Sequence, residues 1–365
     1  MGGFEKGTVY ILGAGASHGE SLAPIEVAES QEPTNPPLAT GFFSESLLSR
    51  LGSVGIFEER LKQVIAYVKL HWGIKESLGL GMWNELSLEQ VLSNVENDLE
   101  FIAHESRNWI HRLEIKIELI GHIHAVIGAS THHKYGELSR RLAQSLSTED
   151  SILCFNWDLL LDQELLSKER PQQYEGFLKC LEIGSPGKPP AKYLWRNGLF
   201  LKPHGSLNWF RCSNPSCPTH RSFVVKRKIQ TCLEWAKNPQ YKLCANCGEK
   251  MFALIVPPIA HKRITQDNVI RHIWGLARTK LRFAKKLVLI GYSLPRSDFY
   301  SEWLLRSSTT HLSRDTILVV NPSNDPDAAE HSNFASRMRE LFPRGFNSDL
   351  RTFAEIDKII AWASA

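Results

Sequence analysis

Cysteine carries the most specific chemistry in the sequence. Cys212 and Cys217 are separated by four residues, and Cys244 and Cys247 by two. Two such knuckles can wrap four thiolates tetrahedrally around one Zn²⁺, which leaves no open position for water and makes the site structural. Cys232 and His220 lie between the knuckles and are alternative ligands. Cys154 and Cys180 read as buried thiols. Seven cysteines, an odd number with four of them paired for metal, suit a reduced compartment better than a disulfide frame and predict a cytoplasmic protein.

Other groups able to bind or react stand at the ends of short apolar runs. Gly13-Ala14-Gly15-Ala16-Ser17 follows Leu12. Its glycines let the backbone turn sharply and approach a phosphate, and the helix behind them would offer free amides and the positive end of its dipole. The full dinucleotide fingerprint wants glycine three residues after Gly15, where His18 stands, so a tight turn without a ligand is the competing reading. Asn156 and Asp158 follow Phe155 and precede Leu159-Leu160-Leu161, a position that suits either a binding role or helix capping. His204, in Lys202-Pro203-His204-Gly205-Ser206, sets a group that exchanges protons near neutral pH beside a glycine. Gly291-Tyr292-Ser293 and Asn321-Pro322 complete the set.

The elements that must position these residues are legible in the apolar pattern. Residues 8–12, 151–155, 199–202, 287–290 and 316–320 are apolar without alternation, as strands covered on both faces of a parallel sheet are. Each run ends at one of the polar or glycine-rich tips. In an open parallel sheet such tips emerge on one edge, where ligands bind, so the sequence predicts an α/β fold with five tips converging on one crevice. Residues 44–148 read as an inserted helical module. Leu88, Val91, Leu92, Val95, Leu99 and Ile102 form one apolar face, opened by a capping-box pattern at Ser87 and Gln90. Leu113, Ile117, Ile120, Ile123 and Ile127 suggest a second helix, although 113–119 also alternates with period two. Residues 208–252 form a zinc-ribbon-like insertion too poor in aliphatic side chains to build its own core.

Composition excludes several classes. Hydrophobic residues make up 42% and charged residues 22%, as in a folded globular protein. The net charge of +4 argues for neither a nucleic-acid nor a membrane partner, and Lys226-Arg227-Lys228 reads as solvated surface. No run approaches the ~20 apolar residues of a membrane helix. The apolar stretch 9–16 has the small-residue end of a signal peptide, but Glu5 spoils the positive flank.

Taken in order, the motifs resemble those of the sirtuin-like family over nearly the whole chain. Gly13-Ala14-Gly15-Ala16-Ser17 is similar to the family's Gly-Ala-Gly phosphate loop, and Phe155-Asn156-Trp157-Asp158 to its Asn-x-Asp motif. His204-Gly205 resembles its His-Gly pair, the four cysteines its zinc module, Gly291-Tyr292-Ser293 its Gly-x-Ser ribose contact, and Asn321 the Asn that closes the adenosine site. The resemblance implies one Rossmann-like NAD-binding domain over 1–365, interrupted by the two insertions, and cleavage of the nicotinamide–ribose bond. It assigns the pyrophosphate to Gly13, Ala14, Gly15, Ala16 and Ser17, and the adenosine half to Gly291, Ser293 and Asn321. Asn156, Asp158 and His204 become the catalytic group, with His204 as general base.

Departures from the deacylase pattern redirect the expected activity. The family's Pro-Asp-Phe-Arg segment is replaced by 35–43, Asn-Pro-Pro-Leu-Ala-Thr-Gly-Phe-Phe. Its peptide-pairing strand is replaced by 254–262, where Pro257 and Pro258 remove backbone donors. The long Gly291–Tyr300 segment resembles bacterial sirtuin-like effectors of antiphage defence. The expectation is an NAD glycohydrolase that releases nicotinamide and ADP-ribose, controlled by homo-oligomerisation or by a defence partner such as a HerA-type hexameric ATPase. The alternatives are an NAD-dependent deacylase or ADP-ribosyltransferase, and a non-catalytic nucleotide-sensing or zinc-ribbon binding module.

Overall fold

The computed structural model describes residues 7–24, 35–44, 61–73, 86–103, 106–166, 172–183, 197–229, 243–257, 267–295, 297–329 and 331–365. The chain divides into two compact units. One comprises 1–35, 133–206 and 260–365, the other 36–132 and 207–259.

The first unit is built on a five-stranded parallel sheet. Its strands are β1 (Thr8–Leu12), β2 (Ser151–Cys154), β3 (Phe200–Leu201), β4 (Lys286–Ile290) and β5 (Ile317–Val320). The order is β3-β2-β1-β4-β5, the doubly wound arrangement in which strand order reverses beside β1. All five coincide with apolar runs of the sequence. Every residue of β1, β2, β3 and β5 is buried, and so is β4 after Lys286. That burial explains why the runs do not alternate: side chains on both faces lie under helices. Asn268–Arg282 is one such helix. Asp267 caps it by accepting from the amides of Val269 and Ile270, and Ile270, Ile273, Trp274, Ala277 and Leu281 are buried along one stripe.

Register fixes where the strands end. Leu12 pairs with Cys154 on one side and Ile290 on the other, and Ile290 pairs with Val320, so four strands finish level. The next backbone bonds run across the tips themselves: Phe155 donates to Leu12 O, Gly13 to Ile290 O and Gly291 to Val320 O. At the other end, the buried Asp150 carboxylate accepts from the Thr8 and Ser147 amides and ties β2 to the start of β1.

The second unit contains the helices Lys62–Trp72, Leu88–Phe101 and Arg107–Thr131 and a three-stranded sheet ordered Val224–Val225, Gly205–Cys212, Met251–Ile255. Leu88–Phe101 buries Leu88, Val91, Leu92, Val95 and Leu99 of the expected face, whereas Ile102 is its C-cap and half-buried. The Ser87 hydroxyl caps it through the Glu89 amide, and Gln90 bonds the Ser87 carbonyl instead of completing the predicted box. The ambiguous stretch 113–119 is helical, inside a 25-residue helix that buries Ile120, Ile123 and Ile127 of the expected face but leaves Leu113 and Ile117 half-buried, its inner side there being Ile115 and Leu119. His122 of that helix donates to Phe42 O across 2.8 Å, and burial pushes its pKa down to about 4, which keeps the ring neutral.

Candidate functional site

The site is assembled in the first unit from the loops that leave the level strand ends. After β1, Gly13-Ala14-Gly15-Ala16-Ser17 turns into the short helix Ala14–His18. The glycines are required by the neighbouring tip. A side chain on Gly13 would reach within 2.5 Å of Tyr292 Cα, and one on Gly15 within 2.8 Å of Gly291 O. Gly291 itself has φ +60, a conformation open to glycine, and a Cβ there would run into the Ala16 amide. Two strand tips thus pack backbone against backbone. The Gly15 amide donates to Gly291 O at 2.9 Å and the Ala16 amide to Gly13 O at 2.9 Å. These two amides are already paired, which differs from the free N–H groups expected at this turn. Ala14 and His18 face solvent.

The loop after β2 is bound directly to that turn. Asn156 donates through Nδ2 to Gly13 O at 2.8 Å and to Ser17 Oγ at 2.7 Å, and the Ser17 hydroxyl in turn donates to Asp158 Oδ2 at 2.6 Å. One hydroxyl therefore links amide and carboxylate, and all three side chains are buried. Asp158 also accepts from the Leu160 amide, at the start of the helix Leu160–Leu165, at 3.1 Å.

After β3 the chain reaches Lys202, Pro203 and His204. Lys202 is fully buried; its ammonium donates to Asp158 O at 2.6 Å and to Asp162 Oδ2 at 2.8 Å, while Tyr174 donates to Asp162 Oδ1 at 3.2 Å. Burial opposes the ammonium, but the Asp162 carboxylate outweighs it and holds the Lys202 pKa above its ordinary value. His204 is 3% exposed, with Nε2 3.1 Å from Asp298 Oδ2. The same oxygen accepts from Tyr292 at 2.6 Å and from Ser301 at 2.6 Å. Phe155 meets the imidazole edge-on at 4.9 Å and stacks parallel on Tyr292 at 4.8 Å; Trp157 donates to His204 O at 3.0 Å. Phe155 and Trp157 thus turn to His204, and Asn156 between them turns to the glycine loop.

The remaining candidates sit on the outer tips. Ser293 is exposed, and Asn321 is buried, with its side chain accepting from the Ser323 amide at 3.0 Å. Residues that the motif reading missed are Lys202, Asp162, Asp298 and Ser301. Their signals were a lone Lys ending an apolar run, an Asp four residues after Asp158, and an Asp–Ser pair spaced three apart at a helix start. Cys154 is a buried thiol as expected, its pKa pushed up to about 12 by burial.

The metal-binding candidates belong to the second unit. The sulfur atoms of Cys212, Cys217, Cys244 and Cys247 all lie within 4.8 Å of one another. Cys212 and Cys247 are 3.5 Å apart and Cys217 and Cys244 3.7 Å. Bonds of about 2.3 Å to a tetrahedral Zn²⁺ put sulfurs about 3.8 Å apart, so the four thiols fit that ion. His220 bonds Cys212 O through Nδ1 at 2.7 Å and stands beside the cluster as a support for a ligand's backbone. Cys232 lies outside the described residues. The turn 245–247 ends at Gly248, φ +75, and the Leu243–Lys250 bridge closes the knuckle.

Fold and site together define a Rossmann-like α/β protein with a four-cysteine cluster. No family model matches the chain, and no curated protein matches it. Among solved structures it is similar to Sir2Tm bound to a propionylated peptide, with 11% identity over 99% of this chain and 94% of that one and a TM-score of 0.37. A structure on the basis of sirtuin substrate affinity gives 11% identity, 98% and 93% coverage and a TM-score of 0.36. Likeness at this level assigns neither a family nor an activity.

Proposed function

We propose that the protein is an NAD glycohydrolase. The observation that carries this reading is a buried imidazole, His204, held by a carboxylate at the same edge of a β3-β2-β1-β4-β5 sheet as the Asn156–Ser17–Asp158 linkage. That edge is where doubly wound folds bind dinucleotides. Gly13, Ala14, Gly15, Ala16 and Ser17 would face the pyrophosphate, and Gly291, Ser293 and Asn321 the adenosine half. Asp158 would meet the carboxamide and Asn156 the nicotinamide ribose.

In the reaction the bond from ribose C1′ to the pyridinium nitrogen breaks and its electron pair leaves with nicotinamide. Positive charge grows on C1′ and the ring oxygen, where fixed oxygen dipoles stabilise it. Water attacks C1′ and gives its proton to His204, which yields ADP-ribose. The proposal extends to control: NAD depletion by a constitutive enzyme would be lethal, so activity is gated by homo-oligomerisation or by a defence partner of the HerA-type ATPase class. The four-cysteine module would hold a structural zinc, whose four thiolate ligands leave no open position for water.

Incubation of the purified chain with NAD, with and without candidate partners, tests the reading by nicotinamide release. Wild type is expected to release it, and Asn156→Ala and His204→Ala to lose about 10²-fold or more in rate. Release unaffected by either substitution, or none from wild type both alone and with every candidate partner, overturns the proposal. Turnover that demands an acyl-lysine peptide in stoichiometric amount assigns the site to deacylation instead.

A further inference from the structure

We infer that Asp298 is a positioning residue that fixes the tautomer of His204 and raises its basicity; this rests on the reading of His204 as general base. Three donors converge on Asp298 Oδ2: His204 Nε2 at 3.1 Å, Tyr292 Oη at 2.6 Å and Ser301 Oγ at 2.6 Å. A carboxylate oxygen that accepts from Nε2 requires the proton there. In neutral imidazole the other nitrogen then carries the basic lone pair, so Nδ1 is the atom that takes a proton from water. Asp298 is wholly buried and His204 nearly so, which strengthens their interaction over the same pair in water.

The device is built at both ends. Asp298 sits at the start of the helix Phe299–Ser308, and its backbone amide is held by Pro295 O at 2.8 Å. Ser301, in the first turn of that helix, fixes one side of the carboxylate, and Tyr292, stacked on Phe155, fixes another. The Phe155 ring that clamps Tyr292 also bounds the imidazole, so carboxylate and ring are set by shared neighbours.

The sign of each effect follows. Removing the carboxylate withdraws the partner of the imidazolium and lowers the His204 pKa. Removing the Tyr292 hydroxyl leaves the carboxylate less solvated, hence more basic, and raises it. The experiment measures His204 by ¹⁵N-histidine NMR titration, and nicotinamide release against pH, in the full chain. Asp298→Asn is expected to shift the His204 titration down by about one to two units. It should reduce kcat by about 10²–10⁴ with KM little changed, and move the acid limb of the rate profile to lower pH. Tyr292→Phe should shift the titration the opposite way, and serves where Asp298→Asn does not fold.

Loss of rate with an unmoved His204 titration marks a purely structural role and overturns the inference, as does an unchanged kcat. If wild type releases no nicotinamide both alone and with every candidate partner, the proposed activity fails, yet the titrations still decide the coupling: opposite shifts in the two variants uphold it, and unshifted ones refute it.

Discussion

At the residue scale, the site depends on polar groups taken out of water and satisfied there. Ser17 accepts from one partner and donates to another, and Asp298 serves three donors. The pair with most at stake is Lys202 and Asp162, 2.8 Å apart and 0% and 1% exposed. Replacing one partner strands the other charge in a dry interior, and the uncompensated desolvation cost exceeds anything the intact pair contributes. Lys202→Met should therefore cost about 3–5 kcal/mol in urea unfolding. Adding Asp162→Leu should recover most of it, because an apolar pair has no stranded charge. A single-variant cost under about 1 kcal/mol would mean the pair behaves as a solvated one.

At the scale of elements, the glycine turn after β1 and the glycine turn after β4 are one unit. In the sequence they stand as separate motifs, one suited to a phosphate and the other similar to a ribose contact. The packing shows a prior requirement: neither tip tolerates a side chain on the face it shows the other. Gly291→Ala combines a left-handed φ of +60 with a clash on the Ala16 amide. It should destabilise the protein by more than about 2 kcal/mol and, by displacing the Gly13–Ser17 loop that Asn156 holds, weaken NAD binding. Calorimetric titration with NAD alongside thermal melting checks both; an alanine that leaves each unchanged would show that the two turns can part without loss.

At the scale of the whole molecule, strand order and register explain why residues separated by most of the sequence meet. Leu12, Cys154, Ile290 and Val320 end level, so residues 13, 155, 291 and 321 begin the same rim. The second unit brings its own staple: freshly purified protein should contain about one equivalent of zinc by elemental analysis. Cys212→Ser should lose that metal and lower Tm, whereas zinc retained at full occupancy in Cys212→Ser would remove Cys212 from the ligand set. Among the described residues no helix is long and apolar enough to cross a membrane.

What the sequence determined by itself was local or periodic. Five apolar runs marked five buried strands, a 3.6-residue stripe marked Leu88–Phe101, and the spacing of four cysteines marked a cluster of four sulfurs, because each pattern is an imprint of burial or of close approach on neighbouring residues. Only the tertiary structure decided which groups touch. Lys202 to Asp158 and Asp162 and Ser17 between Asn156 and Asp158 join segments that follow neighbouring strands, Asp298 to His204 joins segments that follow β4 and β3 across the sheet, and all are set by how the parallel strands are ordered and aligned. No spacing along the chain encodes that alignment. The choice of helix for 113–119, where two periods competed, was likewise settled by what packs against its buried stripe.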